Sequence, residues 1–192
     1  MVAHRHRAMP HPKPYIPTKT TSSANESPAQ TVSVAAAGGW CHHIHVVKKI
    51  VIREHAEIAA PPAVVWDFTQ DYSRRAQWDP AVVTATETTM AGRRCAVVTG
   101  KGRVRMVFQY KQTDRPNKTS VQLIEGPRWL GGGGSWRYER TATGTLFTQT
   151  NTLVLRTRWA RLLAPLIGWM FRRSTRKAIR NAKRMIEAHA AR

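Results

Sequence analysis

Cysteine and long apolar runs are both scarce in this sequence. Cys41 and Cys95 are the only cysteines among its 192 residues, and their unrelated contexts provide no disulfide framework. No apolar run approaches the ~20 residues that a helix needs to cross a bilayer, and the amino terminus lacks the continuous apolar segment of an export signal. These absences predict a cytoplasmic protein that contacts a membrane, if at all, only peripherally.

Acidic residues are also few. The chain has 11 Asp and Glu against 31 Lys and Arg, which gives a formal net charge of +20. Such a charge favours acidic partners and affects association rather than fold. Hydrophobic residues make up 42% of the chain, which suits a globular protein with one ordinary core and excludes a wholly disordered chain.

The first 46 residues are rich in Pro, His, Thr, Ser and Ala and show no sustained hydrophobic period. A segment of this composition buries too little apolar surface to offset its ordering entropy. We therefore predict a disordered tail over residues 1–46 and a ligand-binding domain over residues 47–190. A start codon assigned too far upstream would give the same pattern.

Potential metal ligands cluster at the end of this tail. The segment "CHHIH" places Cys41, His42, His43 and His45 close together. It has no second ligand pair at zinc-finger spacing, so a solvated histidine-rich tail is favoured over a metal site. We predict neither a metal nor another cofactor.

The folded domain begins with an alternating strand. Ile50, Ile52, Ala56 and Ile58 occupy one side of it, and Glu54 falls on that same apolar side. The double proline that follows ends the strand and suits the first turn of a short helix. A second short helix, capped by an aspartate, completes the connection to the next strand.

Turn residues divide the next part of the chain into further strands, predicted over residues 82–89, 94–99, 104–110, 121–124, 135–140 and 146–155. Near Trp159 the hydrophobic period changes from two to 3.6, which indicates a final helix of about thirty residues. Only this helix is large enough to cover the apolar face of the sheet. The predicted fold is α+β: a curved antiparallel sheet of about six to seven strands around a long C-terminal helix, with two short helices after the first strand.

Three segments of the chain resemble a known family. "AEIAAPPAVVWDFTQDYSRRAQWDP" looks like the N-terminal signature of the START/Bet v 1-like (SRPBCC) superfamily, in its polyketide cyclase/dehydrase and lipid-transport branch. "SWRYERTATGTLFTQTNTLVL" resembles the final hairpin of that family, and "RKAIRNAKRMIEA" resembles the end of its long helix. The resemblance covers about residues 48 to 190. It implies a helix-grip fold with a hydrophobic ligand cavity between sheet and helix, but no catalytic motif that can be transferred residue by residue.

Polar residues on the strands are candidates for the lining of this cavity: Glu54, Tyr110, Gln122, Tyr138, Gln149 and Asn151. They would orient a ligand carbonyl or hydroxyl. Glu54, Tyr110 and Tyr138 are also the candidates for acid–base catalysis of a cyclisation. The alternative is that several of them face solvent, because a register error of one residue exchanges the two faces of a strand.

Aromatic residues could form a wall for a flat polycyclic or isoprenoid ligand, and we include Trp66, Phe108, Trp129 and Trp136 in the predicted ligand contacts. Ile167 and Met170 of the final helix complete that set. Ordinary core packing is the alternative for most of them. The run Gly131–Gly134 lacks the Lys-Ser/Thr ending of a phosphate loop, which excludes nucleotide binding. It predicts a mobile loop at the cavity mouth, where Trp129 would act as a gate.

The final helix is strongly basic. Solvation of these charges is the first interpretation. Contact with an anionic membrane ranks second, through Arg172, Arg173, Arg176, Lys177 and Arg180, where each charge contributes ~1 kcal/mol near the surface. Nucleic acid ranks last, because no recognition helix or aromatic single-strand groove is evident.

Three functions remain open from the sequence. The first is binding or transport of a small hydrophobic ligand such as a lipid, a polyketide or a quinone. The second is a polyketide cyclase or dehydratase that uses the cavity acids and bases. The third is a module that docks on a membrane or an acidic partner through the basic helix. Hydrolysis by a Ser-His or Cys-His pair is excluded, because no believable triad order occurs.

Overall fold

The computed structural model describes residues 47–190, and the predicted tail with its Cys-His cluster lies outside the described residues. Strands dominate the described part of the chain. They are β1 Lys48–Ile58, β2 Val82–Met90, β3 Arg93–Gly100, β4 Arg105–Asp114, β5 Lys118–Glu125, β6 Leu130–Arg140 and β7 Thr145–Leu155. The helices are α1 Pro62–Gln70, α2 Arg75–Trp78, α3 Arg158–Leu162 and α4 Ala164–Ala190, with short 3-10 turns at Tyr72–Arg74 and Lys101–Arg103.

All seven strands form one antiparallel sheet in the order β1-β7-β6-β5-β4-β3-β2. The first strand therefore pairs with the last, and α1 and α2 lie in the connection between the two edge strands of the sheet. The long helix α4 follows β7 and packs mainly against β1. This architecture confirms the predicted α+β helix-grip fold.

The connections follow from local chemistry. Pro61 caps α1 in an extended conformation and Pro62 begins it, as expected where the first-turn amides need no helical acceptor. Asp71 accepts a hydrogen bond from the Ser73 amide at 3.0 Å and starts the next turn. Ala91 and Gly92 both adopt positive φ, 48° and 73°, which is the backbone that a tight two-residue hairpin between β2 and β3 requires.

The glycine run lies inside a strand, so the predicted mobile loop is wrong. Gly131–Gly134 belongs to β6 and pairs with both β5 and β7. A Cβ on Gly132, whose φ is +118°, would lie 1.9 Å from the Thr152 carbonyl oxygen, and one on Gly133 would lie 2.2 Å from that of Val121. The glycines therefore allow neighbouring backbones to approach closely within the sheet.

The C-terminal helix is divided near its start. The sequence predicts one helix of about thirty residues, whereas the structure has the short α3, then Leu163, and then α4 with 27 residues. Ile167, Ala178, Ile179, Ala182 and Ile186 form its buried side. Over residues 47–190, no helix has the length and apolar character needed to cross a membrane.

Candidate functional site

A pocket of about 150 Å³ lies between the concave face of the sheet and α4. Strands β2 to β7 supply one wall, α4 supplies the opposite wall, and the turn and helix that follow α1 supply one end. Its apolar lining consists of Ala81, Val82, Val98, Met106, Phe108, Val121, Gly134, Leu153, Phe171 and Ala178. Its polar or amphipathic lining consists of Tyr72, Arg75, Asp79, Trp136, Gln149, Asn151, Ser174 and Thr175.

A buried ion pair occupies the α2 end of the pocket. Arg75 begins α2 and Asp79 follows its last residue, so the helix places the two side chains one turn apart. Only 6% of Arg75 and 8% of Asp79 is exposed. Nε and Nη2 of Arg75 each donate to Oδ2 of Asp79 at 3.3 Å. Burying a charge without a partner is costly, and this pairing offsets that cost.

Aromatic rings surround the guanidinium of Arg75. Its central carbon lies 4.3 Å from the ring centroid of Trp78, 5.1 Å from that of Trp136 and 5.6 Å from that of Tyr72. Such contacts attract a cation toward the ring faces and become stronger when water is excluded. The three rings thus hold the guanidinium, with its Asp79 partner, at one end of the pocket.

Three residues of the lining carry a buried polar atom that makes no hydrogen bond within residues 47–190. They are Nη1 of Arg75, Nε1 of Trp136 and Oε1 of Gln149. Two of these atoms are donors and one is an acceptor. Buried polar groups in folded proteins are rarely left without a partner, because each lost hydrogen bond costs about 1–3 kcal/mol. The pocket therefore has polar groups that a bound molecule could satisfy.

A chain of side-chain hydrogen bonds links the sheet to α4 beside the pocket. Nε2 of Gln149 donates weakly to Oδ1 of Asn151 at 3.4 Å, and Nδ2 of Asn151 donates to Oγ1 of Thr175 at 2.9 Å. The Thr175 hydroxyl in turn donates to the Phe171 carbonyl oxygen at 2.9 Å. These bonds use the amide nitrogen of Gln149 and leave its oxygen without a partner.

Four of the eleven predicted ligand contacts line the pocket: Phe108, Trp136, Gln149 and Asn151. The other seven lie elsewhere in the domain: Glu54, Trp66, Tyr110, Trp129, Tyr138, Ile167 and Met170. Gln122 is exposed on β5, on the opposite face of the sheet. The structure therefore brings together four of the predicted contacts at this pocket and places the others outside its lining.

Glu54 does not line the pocket. It faces α4, as the alternation of β1 predicts, but its carboxylate meets two guanidinium groups of that helix. Nε of Arg176 lies 2.8 Å from it and Nε of Arg172 lies 3.6 Å from it. Glu54 therefore joins β1 to α4, which corrects its prediction as an acid or base of the cavity.

The two tyrosines predicted as acid–base candidates have structural partners. Tyr138 is 2% exposed, and its hydroxyl contacts Oγ1 of Thr69 at 2.7 Å and Nε2 of Gln70 at 2.8 Å. Burial raises the pKa of Tyr138. Tyr110 donates to Glu87 at 2.5 Å, and burial, with neighbouring Tyr72 and Glu87, raises the pKa of Tyr110 as well. Both phenols are thus held neutral outside the pocket lining.

The remaining corrections concern packing. Trp66 donates to Oγ1 of Thr119 at 3.2 Å at the edge of the core. The ring of Trp129 packs against that of Trp159, 5.4 Å away, instead of acting as a gate beside a loop. Ile167 belongs to the second core cluster. Met170 is 56% exposed, because the buried face of α4 passes through positions 167 and 171 and so excludes position 170.

Sequence reasoning missed the ion pair and the α4 lining. Arg75 and Asp79 have the i,i+4 spacing of an ordinary exposed helical pair, and the basic turn "SRRAQWDP" looks solvated. The nearby tryptophan was a weak signal for burial of the arginine. Phe171, Ser174 and Thr175 also escaped notice, since their contribution depends on the rotation of α4.

The described residues provide no cluster suited to a metal ion. Over residues 47–190, no three His, Cys, Asp or Glu side chains converge on one point. Cys95 is a free, buried thiol on β3 and packs as a small apolar side chain.

The sequence profile of the family described as polyketide cyclase / dehydrase and lipid transport matches residues 49–187. The match includes every residue that lines the pocket. A comparison with curated protein sequences found no match.

Solved structures with the same fold are distant in sequence. A Thermus thermophilus protein is 20% identical, with a TM-score of 0.61 over 73% of this chain and 99% of its own. A Streptomyces aromatase/cyclase is 14% identical, with a TM-score of 0.64 over 74% of this chain and 96% of its own. A Thalictrum norcoclaurine synthase in complex with a transition-state analogue is 15% identical, with a TM-score of 0.56 over 76% and 98%. At these identities the likeness shows the fold alone.

Proposed function

Because the chain belongs to the polyketide cyclase / dehydrase and lipid transport family, we propose that its interior pocket binds a small, mostly apolar molecule that carries oxygen groups. The observation that carries this proposal is the set of unpartnered polar atoms on Arg75, Trp136 and Gln149. A ligand carbonyl or carboxylate would accept from the first two side chains. A ligand hydroxyl would donate to the third.

The size and walls of the pocket support a compact ligand. A cavity of about 150 Å³ can hold an aromatic ring of the size of benzene, whereas a long acyl chain needs more room. Phe108, Phe171 and Trp136 offer aromatic contact on several sides. A small oxygenated ring compound therefore fits better than the lipid that the sequence left open.

Benzene and phenol test the role of the polar atoms, because they differ only by one hydroxyl. We expect phenol to bind more tightly than benzene, with isothermal titration calorimetry as the measurement. Gln149→Leu removes the acceptor and should weaken phenol binding about tenfold while leaving benzene binding unchanged. Gln122→Leu is the matched control, since this glutamine is exposed on the other face of the sheet.

Two results would contradict the proposal. One is equal binding of phenol and benzene in the wild-type protein. The other is an equal loss of phenol binding in both leucine variants. Native mass spectrometry of freshly purified protein adds an independent readout. We expect it to detect a co-purified oxygenated apolar molecule of low mass bound to the protein.

A cyclase-type enzyme is the second candidate, and the buried guanidinium of Arg75 favours it. A fixed positive charge in a buried site stabilises the enolate oxygen that forms when a poly-β-ketone loses an α-proton to a base before ring closure. Turnover of such a substrate that disappears in Arg75→Met, with the protein still folded, would support the enzyme. Binding of the substrate without turnover would support a ligand carrier instead of an enzyme.

A further inference from the structure

The basic face of α4 is less available than its sequence indicates. Of the five residues predicted to contact a membrane, Arg172 and Arg176 lie against the carboxylate of Glu54. Arg173, Lys177 and Arg180 are exposed along the helix. In the C-terminal helical segment, the features of a docking site lie instead at the junction between α3 and α4.

Large apolar side chains are exposed at this junction, and we call them the α3–α4 patch: Leu162, Leu163, Leu166, Trp169 and Met170. Each of them is between 44% and 82% exposed. Leu166 and Trp169 lie three positions apart on one side of α4, and Leu162 is the last residue of α3 just before it. Single exposed apolar residues are ordinary, but five within nine positions mark an interaction surface.

Positive charge surrounds the patch. Arg158 precedes it in α3 and Arg173 follows it in α4, and both are exposed. The Arg173 guanidinium lies 5.8 Å from the ring centroid of Trp169. Lys48 of β1 lines a shallow groove together with Trp169, so the neighbouring strand adds a further cation.

Negative charge is missing from the same part of the chain. No Asp or Glu occurs between Glu139 and Glu187. This stretch contains β7, α3 and most of α4. Among the ion pairs of residues 47–190, the carboxylate of Glu54 on β1 reaches α4 near the patch, and it already has its two arginine partners. An apolar patch that is surrounded by positive charge complements a surface with an apolar interior and anionic groups at its boundary with water.

We propose that the α3–α4 patch docks on the surface of an anionic membrane, with Leu162, Leu166 and Trp169 entering the interface and Arg158 and Arg173 contacting lipid phosphates. This arrangement follows the physics of interfacial helices, which combine an apolar face with flanking cations and with Trp at the headgroup level. A second copy of the chain fits less well, because two such faces would bring like charges together. Exposed leucine and methionine also differ from the stacking aromatic groove that single-stranded nucleic acid uses.

Docking at this place would bring a membrane next to an element of the pocket. Phe171, which lines the pocket, is the residue after Met170, which belongs to the patch. The inference does not rest on the proposed ligand, because it depends only on exposed side chains and charge. Membrane contact and ligand binding can therefore fail separately.

Co-sedimentation of the full chain with vesicles tests the proposal. We expect binding to vesicles of phosphatidylglycerol and phosphatidylcholine, weak binding to phosphatidylcholine alone, and release at high salt. Arg158→Gln with Arg173→Gln should lower the partition coefficient about 30-fold, at about 1 kcal/mol for each basic residue. Leu162→Ser with Trp169→Ser should lower it about tenfold or more.

Two matched controls use the other end of the sheet. Lys101→Gln with Arg103→Gln removes two exposed charges from the turn after β3. Val83→Ser with Val104→Ser removes two exposed apolar side chains near the same end. Both controls should bind vesicles within about twofold of wild type, because long-range charge is screened beyond about 8–10 Å.

Several outcomes would overturn the proposal. They are absence of wild-type binding to the anionic vesicles, equal loss in the patch variants and the controls, and unchanged binding in both patch variants. A wild-type dimer that becomes monomeric in Leu162→Ser with Trp169→Ser would assign the patch to a second copy instead. Tight binding of single-stranded DNA that depends on the two arginines, without vesicle binding, would assign it to nucleic acid.

Discussion

Two regions of the interior share the same sheet and the same helix, yet they are built differently. Where β6 and β7 meet α1 and the C-terminal half of α4, Phe147, Ile179 and Ile186 are at most 2% exposed and fill the space. Toward β2, β3 and β4, Phe108 and Val98 face a hollow of about 150 Å³.

Polar groups follow the same division only in part, because Oε1 of Gln70 and Nε1 of Trp78, in or beside the filled region, also lack a hydrogen bond within residues 47–190. In the filled region, the hydroxyl of Tyr138 contacts two side chains, and Thr145 donates to the Ala60 carbonyl oxygen at 2.6 Å. In the hollow region, Arg75, Trp136 and Gln149 each carry a polar atom without a partner. The difference is that the unpartnered atoms of the hollow region line one pocket, so this region forgoes some stability in a way typical of a binding site.

The largest expected difference between the regions is in the stability lost when a phenylalanine is replaced by alanine. Phe147→Ala, in the filled region, should lower the free energy of unfolding by about 3–5 kcal/mol, because it leaves a cavity among close-packed neighbours. Phe108→Ala should cost less than half as much, since this half-buried side chain has fewer partner atoms beside an existing hollow. Urea unfolding measures both. Equal losses would show that the two regions are packed alike and would remove the basis of the comparison.

A smaller difference should separate two polar substitutions. Tyr138→Phe should lower the free energy of unfolding by about 1–2 kcal/mol, because it removes a partner of the buried Gln70 amide and of Thr69. Gln149→Leu should change it by less than about 0.5 kcal/mol, because it removes an acceptor that has no partner together with only the weak 3.4 Å hydrogen bond to Asn151. A large loss of stability in Gln149→Leu would mean that its oxygen is satisfied in the free protein.

The smallest expected effect tests the outer edge of the filled region. The backbone amide of Ala59 and the ammonium of Lys183 hold the pKa of Glu187 below its ordinary value of 4.5. A lowered pKa means that the carboxylate stabilises the fold above pH 4.5 and that this contribution disappears as the pH falls through the folded-state pKa. Glu187→Gln should therefore lower Tm slightly at neutral pH, and the difference from wild type should shrink in acid. A difference that stays constant with pH would exclude an electrostatic contribution.

Much of the fold could be predicted from local signals. The alternation of β1, the double proline before α1, the Ala91-Gly92 turn and the change of period near Trp159 each specify local geometry that tertiary contacts only confirm. The run Gly131–Gly134 led to the wrong prediction of a loop. Glycine is needed there because the Thr152 and Val121 carbonyls approach it from neighbouring strands. A close approach between strands that are separated in the sequence cannot be inferred from the sequence alone.

The candidate site was less predictable for a related reason. Phe108, Trp136, Gln149 and Asn151 could be found because strand alternation fixes which side chains face inward. Glu54 also faces inward, but its partners are two arginines that lie more than a hundred positions away in the sequence. Whether an inward polar side chain contacts a ligand or another side chain depends on such distant partners.

The sequence by itself determined the order of elements, the antiparallel hairpins and the basic character of α4, because these depend on residue periodicity, turn chemistry and charge count. Only the tertiary structure decided that Arg75 is a buried cation between three rings, that α4 turns Phe171 inward and Met170 outward, and that the interior is filled on one side and hollow on the other. The physical reason is that burial and pairing depend on groups distant in sequence, whose relative positions arise only when sheet and helix pack together.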